Sequence, residues 1–308
     1  RVRSAYSVQG LPVGSNNVSF DVIGASPEEC YGYAGPVGKS GSETANDGES
    51  WWKKRHERME ELMKEQENEA AQILYEMCKN DHMHPSDVKE GKIELIADCN
   101  GLLKVDKEKL KKVNSFGEMM IASRHGNTPV KAGDKLAGTR IIPLVIKKDK
   151  MERVKAICAD APIFTLKPFH KKKAAIITTG NEVYHGRIED TFTPVIREKL
   201  AEYDTEVIFH ETFDDDNQKI TDGSLAAIEA GADLVICTGG MSVDPDDKTP
   251  LAIKNTGAEI ISYGAPVLPG AMFLISYYNG NVPILGLPGC VMYAKRTIFD
   301  LVLPRIMP

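Results

Sequence analysis

The chain has 308 residues, of which 42% are hydrophobic, and a formal net charge of −6 at pH 7. This composition is typical of a globular protein with two or three domains, and the acidic balance argues against general attraction to nucleic acid or to an anionic membrane. The longest apolar runs, 141–146 and 282–287, are far shorter than the roughly 18 residues that a membrane span needs. Six cysteines without a CxxC pair favour reduced thiols and a cytoplasmic location.

The first fifty residues hold eight glycines and show no sustained hydrophobic period, which predicts an irregular N-terminal segment over 1–50. The stretch GPVGKS at 35–40 superficially matches a phosphate-binding P-loop. That motif requires glycine at position 33, where this chain has Tyr33. A P-loop is therefore disfavoured.

Residues 51–88 form the next predicted segment, which is helical. The stretch WWKKRHERMEELMKEQENEAAQILYEMCKN contains neither glycine nor proline, and its apolar residues recur at helical spacing. His82 and His84 follow this helix. Two histidines without a second pair of ligands favour a loop or capping role over a metal site.

Residues 89–171 predict a small β-rich module. GKIELIADCNGLLKVD alternates apolar and polar residues around Asn100-Gly101, which predicts a hairpin. Further turns are expected at Gly126-Asn127 and Gly133-Asp134, and KDKMERVKAICAD predicts a short amphipathic helix. The stretch PFHKKK at 168–173 is interpreted as a hinge.

From 172 to 308 strands and helices alternate. Three successive strand–helix units predict a three-layer α/β domain, with a mostly parallel sheet and helices on both faces. Three further strands in close succession, AEIISYGAP, AMFLISYY and VPILGLPG, must add antiparallel or edge strands before the last helix. The predicted class is therefore α/β, preceded by the β-rich module and the helical and irregular N-terminal segments.

Ligands of such sheets bind beyond the carboxyl ends of the strands. Three glycine-marked polar segments are expected at that edge: 178–191, 238–250 and 286–291, the last with Pro288-Gly289 opening the final helix. Glycine lets a backbone approach a phosphate, and carboxylates beside a phosphate need a divalent cation between them. The pattern predicts phosphate on the glycines and Mg²⁺ on the acids, although a plain Gly-Gly turn followed by a helix N-cap remains open.

Two other types of chemistry are disfavoured at this edge. Cys237 and Cys290 have no histidine at a defined spacing, which argues against a thiolate nucleophile. Ser242 lacks a GxSxG frame and is interpreted as a ligand-contacting or capping hydroxyl.

Over about 172–308 the chain resembles the molybdopterin-binding domain of molybdenum cofactor biosynthesis proteins. Five segments in the same order carry this resemblance: TTGNEV, GRIEDT, TGGMSVDPDD, LPGAMFLI and GLPGCVMYA. The resemblance is closest to the molybdate insertase branch (molybdopterin molybdotransferase), in a shorter, insertase-like form. Met241-Ser242 departs from the TGGTG that is usual in the adenylyltransferase branch.

The resemblance implies molybdopterin, free or adenylylated, as the bound cofactor, with molybdate as substrate and Mg²⁺ assisting the release of AMP. It implies catalytic and metal-binding roles for Glu182, Asp190 and Asp247. The implied cofactor contacts are Thr179, Gly180, Asn181, Gly239, Gly240, Met241, Ser242, Lys248, Pro288 and Gly289.

Two other functions stay open at this point. One is a carrier or sensor that binds molybdopterin without turnover, and the other is adenylyl transfer to molybdopterin. The expected partners are a molybdoenzyme or other proteins of cofactor biosynthesis, and further copies of the chain in a homo-oligomer. Neither nucleic acid nor a membrane is expected as a partner.

Overall fold

The structure, a computed structural model, describes residues 45–143, 146–241 and 247–308, with side chains from Lys53 onward. The predictions for 1–44, including the disfavoured P-loop, lie outside these residues. No helix among the described residues combines the length and hydropathy that a membrane span requires.

The elements before the α/β region are, in chain order, α1 (Ala45–Cys78), β1 (Met83–Pro85), β2 (Lys92–Ala97), β3 (Gly101–Val105), α2 (Lys107–Asn114), β4 (Met119–Ser123), β5 (Thr128–Val130), β6 (Lys135–Ile141), α3 (Lys148–Ile157) and β7 (Phe164–Pro168). They are followed by β8 (Lys173–Thr179), α4 (Asn181–Tyr184), α5 (Phe192–Ala201), β9 (Glu206–Phe213), α6 (Asn217–Glu229), β10 (Leu234–Thr238), α7 (Thr249–Asn255), β11 (Glu259–Tyr263), β12 (Leu274–Tyr278), β13 (Val282–Leu287), a 3₁₀ turn (Gly289–Met292) and α8 (Ile298–Ile306).

The chain divides into two compact units. The first contains the described residues up to Ala97 together with Val105–Arg124 and Asp134–Thr165. The second contains Asp98–Lys104, His125–Gly133 and Leu166–Pro308.

The first unit is built on a four-stranded antiparallel sheet with the order β1-β2-β6-β4. The helix predicted from residue 51 is confirmed and begins earlier, at Ala45. Among its side chains from Lys53 onward, the C-terminal half buries an apolar stripe, which includes Ala70, Leu74 and Met77. The helix contacts β2, β6 and α3. The helix predicted from KDKMERVKAICAD is confirmed as α3.

The hairpin predicted around Asn100-Gly101 is wrong. Strand β2 pairs with β1 and β6, whereas β3 belongs to a separate three-stranded sheet with the order β5-β3-β7. The side-chain oxygen of Asn100 accepts from the backbone N–H of Ala132 at 3.0 Å, and its backbone oxygen accepts from Phe169 at 3.1 Å. Asn100 thus joins non-local strands, because an Asn-Gly turn fixes a change of direction but not the pairing partner.

The second unit contains a six-stranded sheet with the order β11-β12-β13-β10-β8-β9. The four strands β13, β10, β8 and β9 are mutually parallel, and β12 runs antiparallel to both its neighbours. The predicted parallel sheet and its added antiparallel strand are both confirmed.

Helices cover both faces of this sheet, as the three-layer prediction requires. One face of β8 and β10, with Ile176 and Ile236, packs against α5 and α8. The opposite face, with Ile177 and Val235, packs against α6 and α7. The central strands are therefore apolar on both sides, which is the pattern of a fully covered parallel sheet.

The prediction that Pro288-Gly289 opens the last helix is wrong. These residues begin a 3₁₀ turn, and α8 starts only at Ile298. Thr297 and Asp300 form a capping box there, in which the Thr297 hydroxyl accepts from the Phe299 N–H at 3.2 Å and Asp300 accepts from the Thr297 N–H at 2.7 Å.

Candidate functional site

The carboxyl ends of β8 and β10 form the topological switch point of the six-stranded sheet. From β8 the chain passes through α5, on one face, to β9 at one side of the sheet. From β10 it passes through α7, on the opposite face, toward the strands on the other side. In open α/β sheets, diverging connections of this kind create a crevice between the two strand ends, where ligands bind.

The two turns at this crevice contact each other directly. The Thr179 hydroxyl donates to the backbone oxygen of Thr238 at 3.0 Å, and the Thr249 hydroxyl donates to the backbone oxygen of Gly239 at 2.8 Å. A β-carbon on residue 239 would lie 2.1 Å from the Thr179 backbone oxygen, and φ of Gly239 is +82°. Glycine is therefore required at 239 by packing alone, so the structural interpretation of this turn is correct at that position.

Other glycines of the predicted site border open space. Gly180 has φ of +134°, and a β-carbon there would have no atom within 4 Å. Gly289 is exposed and similarly open. At Gly240, by contrast, a β-carbon would lie 3.0 Å from the Thr249 hydroxyl. The backbone is thus open at Gly180 and Gly289 and closed at Gly239.

Asp190 lies beside the first turn of α5 and is surrounded by donors. Its Oδ1 accepts from the backbone N–H of Phe192 at 2.9 Å and of Thr193 at 3.0 Å. Its Oδ2 accepts from the Thr193 hydroxyl at 2.6 Å and the Thr178 hydroxyl at 3.2 Å. Burial alone would raise the pKa of Asp190, but these hydrogen bonds outweigh it and the pKa is lowered. Four donors use the lone pairs of this carboxylate, which suits an anchoring role better than metal ligation.

The other two acids expected at the site are placed differently. Glu182 lies on α4 with its side chain exposed, and Asp247 is half-buried just before α7. Burial raises the pKa of Tyr263, and the charge of Asp247 raises it further, so Asp247 lies near the end of β11. Within the described ranges no three His, Cys, Asp or Glu side chains are grouped so that they could hold a metal ion. The metal-binding role that the resemblance implies for Glu182, Asp190 and Asp247 stays a prediction.

The remaining predicted contacts are distributed around the crevice. Lys248 directly precedes α7 and is half-buried, and Pro288 is buried. The Met241 side chain is only 3% exposed and belongs to the core under α6 and α7, where a β-carbon on Gly286 would lie 2.6 Å from its methyl group. A ligand could reach Met241 through its backbone only. Ser242 lies outside the described residues.

The aspartates that follow β9 also lie at this edge of the sheet, and they were not among the predicted site residues. Asp215 accepts from the Asn181 backbone N–H at 3.2 Å, which ties the turn after β8 to the loop after β9. Asp214 pairs with Lys219 at 2.7 Å through one oxygen, while its other oxygen is buried with no hydrogen-bond partner among the described residues. The sequence did contain a signal for them. The stretch FDDD at 213–216 lies at the end of a parallel strand, as do the predicted segments 178–191, 238–250 and 286–291.

The thiols near the crevice are unsuited to nucleophilic catalysis. Burial raises the pKa of Cys237 to about 12, and it also raises the pKa of Cys290. At neutral pH both groups are therefore thiols rather than thiolates.

The fold defines a three-layer α/β domain with a candidate ligand site at its switch point. Within it, residues 175–308 match the family model described as "Probable molybdopterin binding domain". This match covers less than half of the chain, and it supports the resemblance to molybdopterin-binding domains without distinguishing the insertase branch.

Curated relatives match a shorter part. Proteins of Bacillus thuringiensis (strain Al Hakam) and Bacillus cereus (strain AH187), both named for competence-damage induction, are 33% identical over 95 residues. That segment is 31% of this chain and 23% of each relative, so the chain spans about a quarter of the length of the relatives it matches.

Solved structures that resemble the chain include the protein CinA of Thermoplasma acidophilum, at 22% identity and a TM-score of 0.38. That match covers 44% of this chain and 98% of that chain. The molybdopterin biosynthesis enzyme MoaB of Thermus thermophilus matches at 26% identity, 43% of this chain, 90% of that chain and a TM-score of 0.37. The tungsten cofactor synthesizing protein MoaB of Pyrococcus furiosus matches at 23% identity, 44% of this chain, 91% of that chain and a TM-score of 0.36.

Proposed function

We propose that the second unit binds molybdopterin in the crevice between β8 and β10, and that the chain acts in molybdenum cofactor biosynthesis. The observation that carries this proposal is the junction of Thr179 with Gly239 at the switch point, inside the segment that matches the molybdopterin-binding family model. A phosphorylated ligand suits a crevice in which the backbone is open at Gly180 and a lysine, Lys248, borders the turn.

The chain's own residues would bind and orient this ligand. Gly180 and Gly289 leave room for close approach, Asn181 is held by Asp215, and the buried Thr238 hydroxyl has no hydrogen-bond partner among the described residues. Such an unpaired buried hydroxyl at a strand end is a position where a bound water would satisfy the hydrogen bond. When bound, molybdopterin supplies the dithiolene that takes up the metal.

The specific activity that we propose is insertion of molybdate into adenylylated molybdopterin with release of AMP. Glu182 and Asp247 are its candidate acidic residues, and Asp190 is assigned to holding the segment that carries Glu182. Any Mg²⁺ would share its coordination between protein carboxylates and the phosphates of the ligand.

Two alternatives compete with this activity. A carrier or sensor would bind the same ligand and release no AMP. An adenylyltransferase would bind ATP as well as molybdopterin and would consume it. The site geometry is compatible with ligand binding in all three cases, so turnover has to be measured.

The test is calorimetric titration of the full chain with adenylylated molybdopterin, with and without Mg²⁺, while the same samples are assayed for AMP. Asp247→Asn is the test variant, and Asp222→Asn, on the exposed surface of α6, is the matched control. We expect tight binding and molybdate-dependent AMP release in the wild type and in the control, with AMP release lost in Asp247→Asn.

Tight binding without AMP would identify a carrier or sensor. ATP-dependent labelling of molybdopterin would identify the adenylyltransferase. No binding of either form of molybdopterin would overturn the proposal as a whole. The homo-oligomer, the delivery of cofactor to a molybdoenzyme and the cytoplasmic location also remain proposals, and light scattering behind size exclusion tests the first of them.

A further inference from the structure

A cluster of four polar side chains lies under the first turn of α5, on the side of the sheet that this helix covers. It consists of Thr178 from β8, His210 from β9, Thr193 from α5 and Asp190. Thr178 and Thr193 are 1% and 7% exposed, whereas the side chains of Asp190 and His210 are 18% and 31% exposed. His210 was not selected from the sequence, since it lies inside an edge strand and matches no motif.

The distances within the cluster favour one direction for its hydrogen bonds. His210 Nε2 lies 3.1 Å from the Thr193 hydroxyl, 3.3 Å from the Thr178 hydroxyl and 3.6 Å from Asp190 Oδ2. Each threonine hydroxyl carries one hydrogen, and both lie within donating distance of Asp190 Oδ2, Thr193 at 2.6 Å and Thr178 at 3.2 Å. The two hydroxyls are also 3.3 Å apart, so each has the other as a second acceptor. The arrangement that gives both hydrogens to Asp190 leaves the two hydroxyl oxygens as acceptors toward the imidazole, and it requires a hydrogen on Nε2.

The opposite tautomer would be unfavourable for a physical reason. With the hydrogen on Nδ1, the Nε2 lone pair would face two hydroxyl oxygens and a carboxylate. Alternatively, one threonine would turn its hydrogen toward Nε2, and Asp190 would lose a charge-assisted hydrogen bond, the stronger kind. Histidines elsewhere act in this way, with one nitrogen oriented by a fixed partner.

We propose that His210 is a positioning residue for the ligand site, which acts by directing the hydroxyls of Thr178 and Thr193 onto Asp190. Asp190 in turn holds the backbone where α5 begins. The segment between β8 and α5 is thereby fixed at its far end, while the Asn181 contact with Asp215 fixes its near end. This segment carries Gly180, so its placement sets one wall of the crevice.

The proposal has two parts that are measured without any ligand. The first is the tautomer: in a ¹⁵N-histidine-labelled full chain, the His210 Nε2 resonance is expected in the protonated range near neutral pH. Its signals are assigned by their loss in His210→Phe. An Nε2 that carries no hydrogen would overturn the proposal directly.

The second part is backbone order in residues 181–190, followed by amide hydrogen exchange. His210→Phe removes the donor and is expected to speed exchange about 10-fold, which corresponds to about 1.4 kcal/mol. His210→Gln keeps an N–H donor and should restore slow exchange, and His170→Phe, at an exposed histidine before β8, should change nothing in this segment. Equal exchange in wild type and His210→Phe, or an equal rise in both His210 variants, contradicts a positioning role.

Should His210→Phe fail to fold, the Nε2 resonance of the wild type, assigned by its loss in His210→Gln, still decides whether His210 carries the hydrogen that the positioning role requires. The last step alone rests on the proposed function: His210→Phe should weaken adenylylated molybdopterin about 10-fold and His210→Gln should not. If the wild type does not bind this ligand, the proposed function fails while the tautomer and exchange results still decide the role of His210. If it binds and His210→Phe binds equally well, the positioning role is wrong.

Discussion

Residue 239 has no room for a β-carbon, because that atom would lie 2.1 Å from the backbone oxygen of Thr179. This approach joins the carboxyl ends of the two central strands of the parallel sheet. Packing alone therefore explains why residue 239 is glycine. The open backbone at Gly180 is the position that a ligand could approach. The turn is therefore part of the scaffold that shapes the crevice.

The first prediction concerns Gly239→Ala. It should lower the free energy of unfolding by about 2–5 kcal/mol, since a left-handed non-glycine residue costs about 1–2 kcal/mol and overpacking about 1–3 kcal/mol. Gly257→Ala is the matched control, because φ is +84° there and a β-carbon would have no atom within 4 Å. Urea unfolding followed by circular dichroism should show a loss of only about 1–2 kcal/mol for the control. Similar losses in the two variants would mean that the contact with Thr179 carries no cost.

The second prediction separates a core role from a ligand role at Met241. Because its side chain is buried, Met241→Ala should cost about 2–5 kcal/mol in the free energy of unfolding, whereas Met241→Leu should cost less than about 1.5 kcal/mol. Urea unfolding measures both. A stable Met241→Ala protein with weakened molybdopterin affinity would instead support the side-chain contact that the resemblance implies.

Much of the α/β unit was predictable from sequence. Strands β8 and β10 are apolar on both faces, and glycine or polar residues mark their ends, so local pattern and final structure agree. The same local reasoning failed at Asn100, where the turn was recognised but the pairing depended on distant strands. It failed again at Pro288, although the capping box of Thr297 and Asp300 was readable in the sequence.

The site was predictable only in part, for a related reason. The convergence of 178–191 and 238–250 follows from parallel strand direction, and the contact of Thr179 with Gly239 agrees with it. What the sequence could not supply is the environment of each acid. Asp190 appears in it as one more carboxylate, and only the structure shows four donors around it.

The third prediction uses the lowered pKa of Asp190. Its native pKa lies below the unfolded value of about 3.9, so the native state binds fewer protons and the stabilisation is fully present above that value. It is lost as the pH falls through the native pKa. Asp190→Asn should cost about 1.5–3 kcal/mol near neutral pH, the range for hydrogen bonds to a charged group.

The measurement is urea unfolding of wild type and Asp190→Asn across acid pH. The difference in unfolding free energy should shrink as the pH falls below about 4, because the wild-type carboxyl becomes protonated. Asp222→Asn, at an exposed position of α6, should show no comparable pH-dependent difference. A difference for Asp190→Asn that stays constant with pH would contradict the assignment.

The fourth prediction tests whether the crevice recognises phosphate. Lys248 is half-buried at the start of α7, whereas Lys254 is exposed in the last turn of the same helix. Removal of a charged hydrogen-bonding group from a phosphate site costs about 1.5–3 kcal/mol, so Lys248→Ala should weaken adenylylated molybdopterin about 10-fold or more. Lys254→Ala should leave affinity within about twofold, because it changes the net charge equally but lies at the other end of the helix. Titration at two salt concentrations distinguishes a local contact from general charge attraction. If Lys254→Ala weakens affinity as much as Lys248→Ala does, and both effects disappear at high salt, both lysines act by long-range attraction. Lys248 would then not belong to the site.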